Sequence, residues 1–467
     1  MSRIPGPRSP ITLAKLAAAV TSDPYRALLH VRDTYGPVSA IDLRPLGIAV
    51  LLLGPEANEL VLSTHSDRFE WHGAMRSLVP IEGETSLILS DGDDHARRRK
   101  VVQPAFHKRA IDDHLDLLVG ETDRIIDRWA VGDEIDAARA TATAVERMAI
   151  AVLGGPELRA HSHEISARLA PAIEFVNAPL HKQAPLPWPG TRYHRARASR
   201  HVVEGLIDDE IDRRTRRGEV GEDVLARLIA SEGSTMTRQE VHDQLISLMA
   251  NYDTTSAAMG WAVHRLVTEP LVWARAADEL EAEVGTAPLT IDALNRLPYL
   301  DGVVNETLRL HPPSVYSPRE VVEAFEFRGH RIPKGAMVMF SPFVTGRDER
   351  EFPDPEAFRP ERWDTTRPDH HAPHPYAFVP FGGRSRRCIG FAFALLQLKV
   401  VIAQLVRRTD LTPIGAAPVP RGSVAVRPSG GVPVRVRAVR RRSDDQGDPD
   451  RPGDPAVTTI DLREVSA

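Results

Sequence analysis

The single cysteine of this 467-residue chain lies in Phe381-Gly-Gly-Arg-Ser-Arg-Arg-Cys388-Ile-Gly390, directly ahead of an amphipathic stretch from Phe391 to Arg408. A side chain just before a helix N-terminus meets unpaired N–H groups and the positive end of the helix dipole, both of which favour an anion. Arg386 and Arg387 add positive charge, so the sequence predicts a thiol drawn toward thiolate. Gly382, Gly383 and Gly390 let the backbone turn tightly and let a large flat group approach it. A lone thiolate can act as a nucleophile or as the one axial ligand of a haem iron. The plainer alternative is a buried free cysteine acting as a small hydrophobe. With one cysteine, an intramolecular disulfide, a thiolate-clustered structural zinc and a four-cysteine iron–sulfur site are all excluded, and a reducing cytosol fits.

A second candidate lies mid-chain. Thr237-Arg-Gln-Glu240 is a capping box, and the next evident helix stop is Pro270. The spacing predicts one rod of roughly 30 residues, about 45 Å long. Val241, Leu245, Leu248, Met249, Met259, Val263 and Leu266 suit burial, yet Ala250-Asn-Tyr-Asp-Thr-Thr-Ser256 sets Asp253 and Thr254 in the middle of the rod. Buried there, they are costly unless something polar meets them; a solvated face or bonds to the helix backbone are the alternatives. Further on, Glu306 and Arg309 are spaced to share a helix face, where an exposed pair contributes only a fraction of a kcal/mol.

The elements that position these residues read as mainly α with a smaller β portion. Ile11 to Val20, interrupted by Lys15, suits a short helix better than a signal-peptide core. Pro24 to Tyr35 reads as a helix, and Val38 to Leu53 as a strand pair broken by Pro45-Leu46-Gly47. From Asp94 to Arg309 the pattern is overwhelmingly helical, with a loop at Pro185 to Pro189. Ser423 to Val439 suggests a hairpin around Ser429-Gly430-Gly431. We expect one domain over residues 1–442 and a disordered charged tail over 443–467. Hydrophobic residues at 42% and charged residues at 26% fit a globular protein, and 59 basic against 64 acidic residues give −5, which argues against nucleic-acid binding. The longest apolar run, Gly47 to Gly54, falls well short of the ~20 residues of a membrane helix, so we expect no anchor and a cytoplasmic location.

Several segments together resemble one family, the cytochrome P450 monooxygenases. The family's cysteine signature is Phe-x-x-Gly-x-Arg-x-Cys-x-Gly; Phe381, Arg386, Cys388 and Gly390 match it, and Arg384 stands in place of the glycine. Glu306-Thr-Leu-Arg309 resembles its Glu-x-x-Arg helix, and Phe358-Arg-Pro-Glu-Arg362-Trp363 the segment that completes a Glu/Arg/Arg network. Ala250-Asn-Tyr-Asp253-Thr254-Thr255 resembles the oxygen-activation stretch, with Asn251 in place of a glycine. His95-Ala-Arg-Arg-Arg99 is similar to a segment that contacts haem propionates. The resemblance spans about residues 4 to 440.

The resemblance implies haem b with Cys388 as its axial ligand, and His95, Arg99, Arg319 and Arg386 at the propionates. It leaves Arg97 and Arg98 as solvated neighbours and His311 as a helix-end residue. It implies Asp253 and Thr254 as the groups that hold water and relay protons, and Glu306, Arg309 and Arg362 as structural support. Electrons would come from a separate partner, in such relatives a ferredoxin with its reductase, docking on basic residues among Arg97 to Lys100, Lys108, Arg109, Arg384 and Arg387. The substrate would be an apolar small molecule, terpenoid, fatty-acid or steroid-like, enclosed by Trp71 to Leu87, the long helix near Leu248, and Val315 to Ser317. Two alternatives stand beside a monooxygenase. One is a haem-binding protein of this fold with altered or lost turnover, acting as binder or sensor. The other is a cysteine-nucleophile hydrolase, for which no His in a recognisable motif pairs with Cys388.

Overall fold

A computed structural model describes residues 4–42, 47–179, 182–219, 221 and 223–440. The expected charged tail and the Pro45-Leu46 break therefore lie outside the described residues. Pro10–Ser22 and Pro24–Tyr35 are helices, each with proline in its first turn and a capping side chain, Ser9 and Asp23. Val38–Asp42 and Ile48–Leu52 pair antiparallel, as their β-branched content suggests. They belong to a five-stranded sheet completed by Met337–Phe340, Ser317–Val321 and Phe69–Glu70. Only the Ile48–Leu52 pairing with Met337–Phe340 is parallel.

Most of the remaining mass is helical. Phe391–Arg408 buries Phe393, Leu396, Val400, Val401 and Leu405 at the centre of the largest apolar cluster. Each such side chain contributes about 1.5–3 kcal/mol by leaving water, which makes this helix a rigid mount for the cysteine loop before it. No helix among the described residues is long and apolar enough to cross a membrane.

Two expectations are corrected. The capping box at Thr237 and Glu240 forms, but the single rod does not: Arg238–Ala250 ends at Asn251 and Tyr252–Thr268 follows. The Asn251 carbonyl accepts the Thr254 N–H (3.3 Å) and hydroxyl (2.9 Å), and the Asn251 amide donates back to the Ser247 carbonyl (2.7 Å). Side chains thus compete with the backbone ladder at the very residues that looked out of place. Nor is Ser423 to Val439 one hairpin. Arg427–Ser429 pairs with Val419–Arg421, whereas Pro433–Val439 joins Glu134–Asp136 and Thr409–Pro413 in a separate sheet. The cause is Asp136, which caps the Ala137–Ala160 helix and also accepts the Val432 N–H (2.9 Å). A Cβ on Gly431, at φ +73°, would lie 2.2 Å from the Asp136 carboxylate, so glycine lets the chain be captured there.

Beneath the cysteine-loop side sits a buried ion network. Glu306 is fully buried and accepts from Arg309 Nη2 (2.7 Å) and Nε (2.9 Å), Arg362 Nε (2.8 Å), Trp363 Nε1 (3.0 Å) and the Arg359 backbone N–H (2.9 Å). Arg309 also donates to the carbonyls of Gly346, Pro355 and Ala357. Replacing one partner strands buried charge. Arg309→Leu is expected to lower unfolding free energy by about 3–5 kcal/mol, measured by denaturant titration.

Candidate functional site

A cavity of about 750 Å³ opens where the helical mass meets the five-stranded sheet. Its floor is the cysteine loop. The Cys388 N–H bonds the Phe381 carbonyl (2.9 Å), closing a loop in which Gly382 and Arg384 take positive φ, +66° and +48°. Arg384 thus adopts the conformation that explains why a glycine is expected there, at a local cost of about 1 kcal/mol. The loop forms in spite of the substitution.

Cys388 is enclosed by protein except where it faces the cavity, and there it is open. Burial pushes its thiol up, against the Gly390 backbone and the Arg99 and Arg387 charges, which pull it down. The expected drift to thiolate is therefore not achieved by the chain alone. A metal cation at the sulfur reverses that balance, because a coordinating thiol is deprotonated outright.

His95, Arg99, Arg319 and Arg386 line the same cavity. Arg386 is held by Asp91 (2.5 Å) and the Ser90 carbonyl (2.7 Å), while Asp91 also accepts the Trp71 and His72 N–H groups. Arg99 donates to the Arg387 carbonyl (2.9 Å). Arg319 is buried and, among the described residues, bonds only Ser317 Oγ (2.8 Å) and the Pro318 carbonyl (2.6 Å). Its guanidinium lies 3.5 Å from the Trp71 ring centroid, and that of Arg386 lies 5.3 Å from it. Burial, then Arg386, bring Arg319 down to about 9; Asp91 acts weakly the other way. Among the described residues no carboxylate pairs with Arg319, and a buried cation without a counter-ion calls for an anion. His95 was expected among the cations of this rim, but burial, Arg386 and Arg99 hold it down to about 4, so it is neutral at pH 7. An open thiol, an apolar cavity and under-neutralised arginines at its rim fit a flat, dianionic, iron-bearing group.

On the opposite wall Ser247, Leu248, Asn251, Tyr252, Thr254 and Thr255 face the cavity. Asp253 does not line it. Both its oxygens are bound by Arg427 (2.7 and 2.8 Å), and Asn177 donates to it at 3.2 Å. Asn177 in turn accepts the Val424 and Ala425 N–H groups, so Asp253 anchors the segment whose Ser423 and Val424 close the cavity. Burial raises the Asp253 carboxyl, with Arg427 and Asn177 opposing. Nothing in the sequence linked Asp253 to residues 76 and 174 positions away.

Other expectations fare differently. Trp71, Leu78, Leu87, Leu248, Tyr316 and Ser317 line the cavity as expected. Both Arg97 and Arg98 bind Glu240 of the capping box; Arg98 is buried and also reaches Ser90 in the core, whereas Arg97 stays partly solvated as expected. That leaves Lys100, Lys108, Arg109, Arg384 and Arg387 exposed around the thiol side. His311 ends its helix, stacked on Trp261 at 4.3 Å and bonded by Arg265 (3.0 Å). Missed altogether were Asp91, Asn177 and Arg427, whose roles depend on pairing across the fold.

The fold and this cavity together define a haem-thiolate protein. A family model, Cytochrome P450, matches residues 4–429, and the chain belongs to that family of oxygen-using monooxygenases with a cysteine-ligated haem iron. It is 38% identical over 367 residues to a Mycobacterium tuberculosis protein assigned as cytochrome P450 139, covering 77% of this chain and 85% of that one. It is 32% identical to cyclooctatin synthase of Streptomyces melanosporofaciens, over 72% of this chain and 74% of the relative. Sterol 14α-demethylase of Mycobacterium bovis is 29% identical, over 83% and 87%. A solved structure, the retinoic acid-bound cyanobacterial CYP120A1, shares the fold with a TM-score of 0.80 at 24% identity, over 88% of this chain and 94% of that one.

The Asp253 anchor has a testable electrostatic sign. Arg427→Met strands a buried carboxylate, so stability should fall by about 1–3 kcal/mol at neutral pH. The loss should shrink in acid, where Asp253 takes up a proton; thermal melting at two pH values measures both.

Proposed function

We propose that this protein uses dioxygen and two externally supplied electrons to hydroxylate or epoxidise an apolar small molecule, terpenoid, fatty-acid or steroid-like. The observation that carries the reading is the cavity itself: one open thiol on its floor, a hydroxyl-bearing helix break opposite, and mostly apolar walls between them. The relative named for sterol demethylation supports this substrate breadth.

Cys388 would hold the haem iron. Arg319 and Arg386 would bind the propionates through charge-assisted bonds, with Arg99 and neutral His95 beside them. Haem bound there supplies dioxygen activation, with the thiolate favouring O–O cleavage. Thr254 keeps its own proton engaged with the Asn251 carbonyl, which turns its oxygen lone pairs toward incoming proton donors. Asp253 supports the site from behind, through Arg427 and Asn177. Electrons would come from a separate ferredoxin with its reductase, steered to the exposed cations around Arg384 and Arg387.

Given a ferredoxin system and isotopically labelled dioxygen, the enzyme should place one labelled atom in each product molecule and the other in water. Tight binding of an apolar ligand with no oxygen-dependent product would overturn the reading in favour of a binder. Cys388→Ser should abolish the thiolate-type absorption band of the reduced, carbon-monoxide-bound protein, since the chain has no second cysteine.

A further inference from the structure

The Arg238–Ala250 helix carries a polar stripe that the cysteine, the rim and Thr254 do not explain. Asp243, Ser247 and Asn251 follow at i, i+4 and i+8 and so share one face. Facing them is the 79–87 segment. Asp243 accepts the Thr85 N–H (2.8 Å) and hydroxyl (2.6 Å); Gln244 accepts the Leu87 N–H (2.8 Å) and donates to the Thr85 carbonyl (2.7 Å). A Cβ on Gly83 would fall 2.1 Å from Asp243 Oδ1, so this glycine permits the close approach. The stitching presses Glu82, the last residue of the short Val79–Glu82 helix, against the stripe.

Glu82 is 5% exposed. Its Oε1 lies 3.5 Å from the Asn251 amide nitrogen, the Ser247 hydroxyl is a polar neighbour, and among the described residues its Oε2 has no partner. Both contacts lead to the cavity, since Ser247 and Asn251 line it and Glu82 stands directly behind them. The charged groups facing Glu82 are Arg200 and Asp243. Arg200 is already committed to Glu204 and Asp243, so one guanidinium stands among three carboxyls and the one it does not bond is left to hold a proton. Burial raises Glu82 to about 7, with Ser247, Arg200 and Asn251 opposing and Asp243 reinforcing. The same cluster reaches solvent, because Glu204 also bonds His201, whose side chain is 86% exposed.

We propose that Glu82 is the proton-holding carboxyl of the oxygen-reacting side, acting through Ser247 and positioned by Asn251. Glu82 gives its proton to the Ser247 hydroxyl as that hydroxyl releases its own to an acceptor in the cavity. The resulting carboxylate is stabilised by the nearby Arg200 charge and recovers a proton from solvent, toward which the cluster opens at Glu204 and His201. Asn251, which looked like a defect in the oxygen-activation pattern, tethers this carboxyl to the helix break. Asp253, tied to Arg427, is left as an anchor. The inference rests on the monooxygenase reading above, but part of its test needs no turnover.

The test compares the haem-loaded enzyme with its Glu82→Gln, Glu82→Asp and Asp253→Asn variants. In infrared difference spectra the parent should show a buried protonated-carboxyl band that fades as pH rises through about 7. The part of that band due to Glu82 should be lost in Glu82→Gln, where Glu146, also raised to about 7 by burial, still contributes, and it should be retained in Asp253→Asn. Glu82→Gln should lower product formation by about 10²-fold at neutral pH and flatten its pH profile, with unchanged substrate affinity. Glu82→Asp should restore a titrating profile in part, and it carries the test if Glu82→Gln does not fold. A carboxyl band unchanged between the parent and Glu82→Gln, or a loss of turnover in Asp253→Asn with none in the Glu82 variants, would overturn the proposal. If the parent forms no product with any substrate, the monooxygenase reading fails while the infrared result still decides the state of Glu82.

Discussion

A carboxylate with no access to water, Glu306, holds together the part of the chain that delivers the cysteine. Its oxygens gather two guanidiniums, an indole N–H and a backbone N–H, and Arg309 extends that grip to three carbonyls of the 346–357 segment. Such a cluster is no stronger than well-packed hydrophobes would be, but it tolerates only one arrangement of the segments around it. Because the 359–363 turn is fixed from inside, the chain that continues toward Phe381 starts from a defined place. The Phe391–Arg408 helix fixes its other end by burial. Cys388 is thus held between an electrostatic anchor and a hydrophobic one.

The cavity is arranged by a contrast of charge. On the floor and rim, cations outnumber their partners: Asp91 serves Arg386, and Arg319 is left with a hydroxyl and a carbonyl. Behind the Ser247 and Asn251 wall, carboxyls outnumber cations, with Asp243, Glu204 and Glu82 grouped around Arg200. One side is poised to accept an anion and the other to retain a proton. Both are requirements of a site that binds a propionate-bearing cofactor and feeds protons to a dry pocket.

Where local chemistry decides the outcome, it could be read from the residues. The Pro24–Tyr35 helix, the Thr237–Glu240 capping box and the loop ahead of the Phe391–Arg408 helix each follow from neighbouring side chains. Motif spacing brought His95, Arg99, Arg319, Arg386 and Cys388 to one cavity. What could not be read are choices of partner across the fold. Arg98 found Glu240, Asp253 found Arg427, and Val432 found Asp136 in preference to a hairpin neighbour. The break at Asn251 was written in the sequence as misplaced polarity, but its answer, Glu82, lies 169 positions upstream.

Trp71 carries a last consequence. Its ring centroid lies 3.5 Å from the guanidinium carbon of Arg319 and 5.3 Å from that of Arg386. An aromatic face holds a cation through its quadrupole without neutralising it. The indole therefore keeps Arg319 in place while leaving its charge available to an arriving carboxylate.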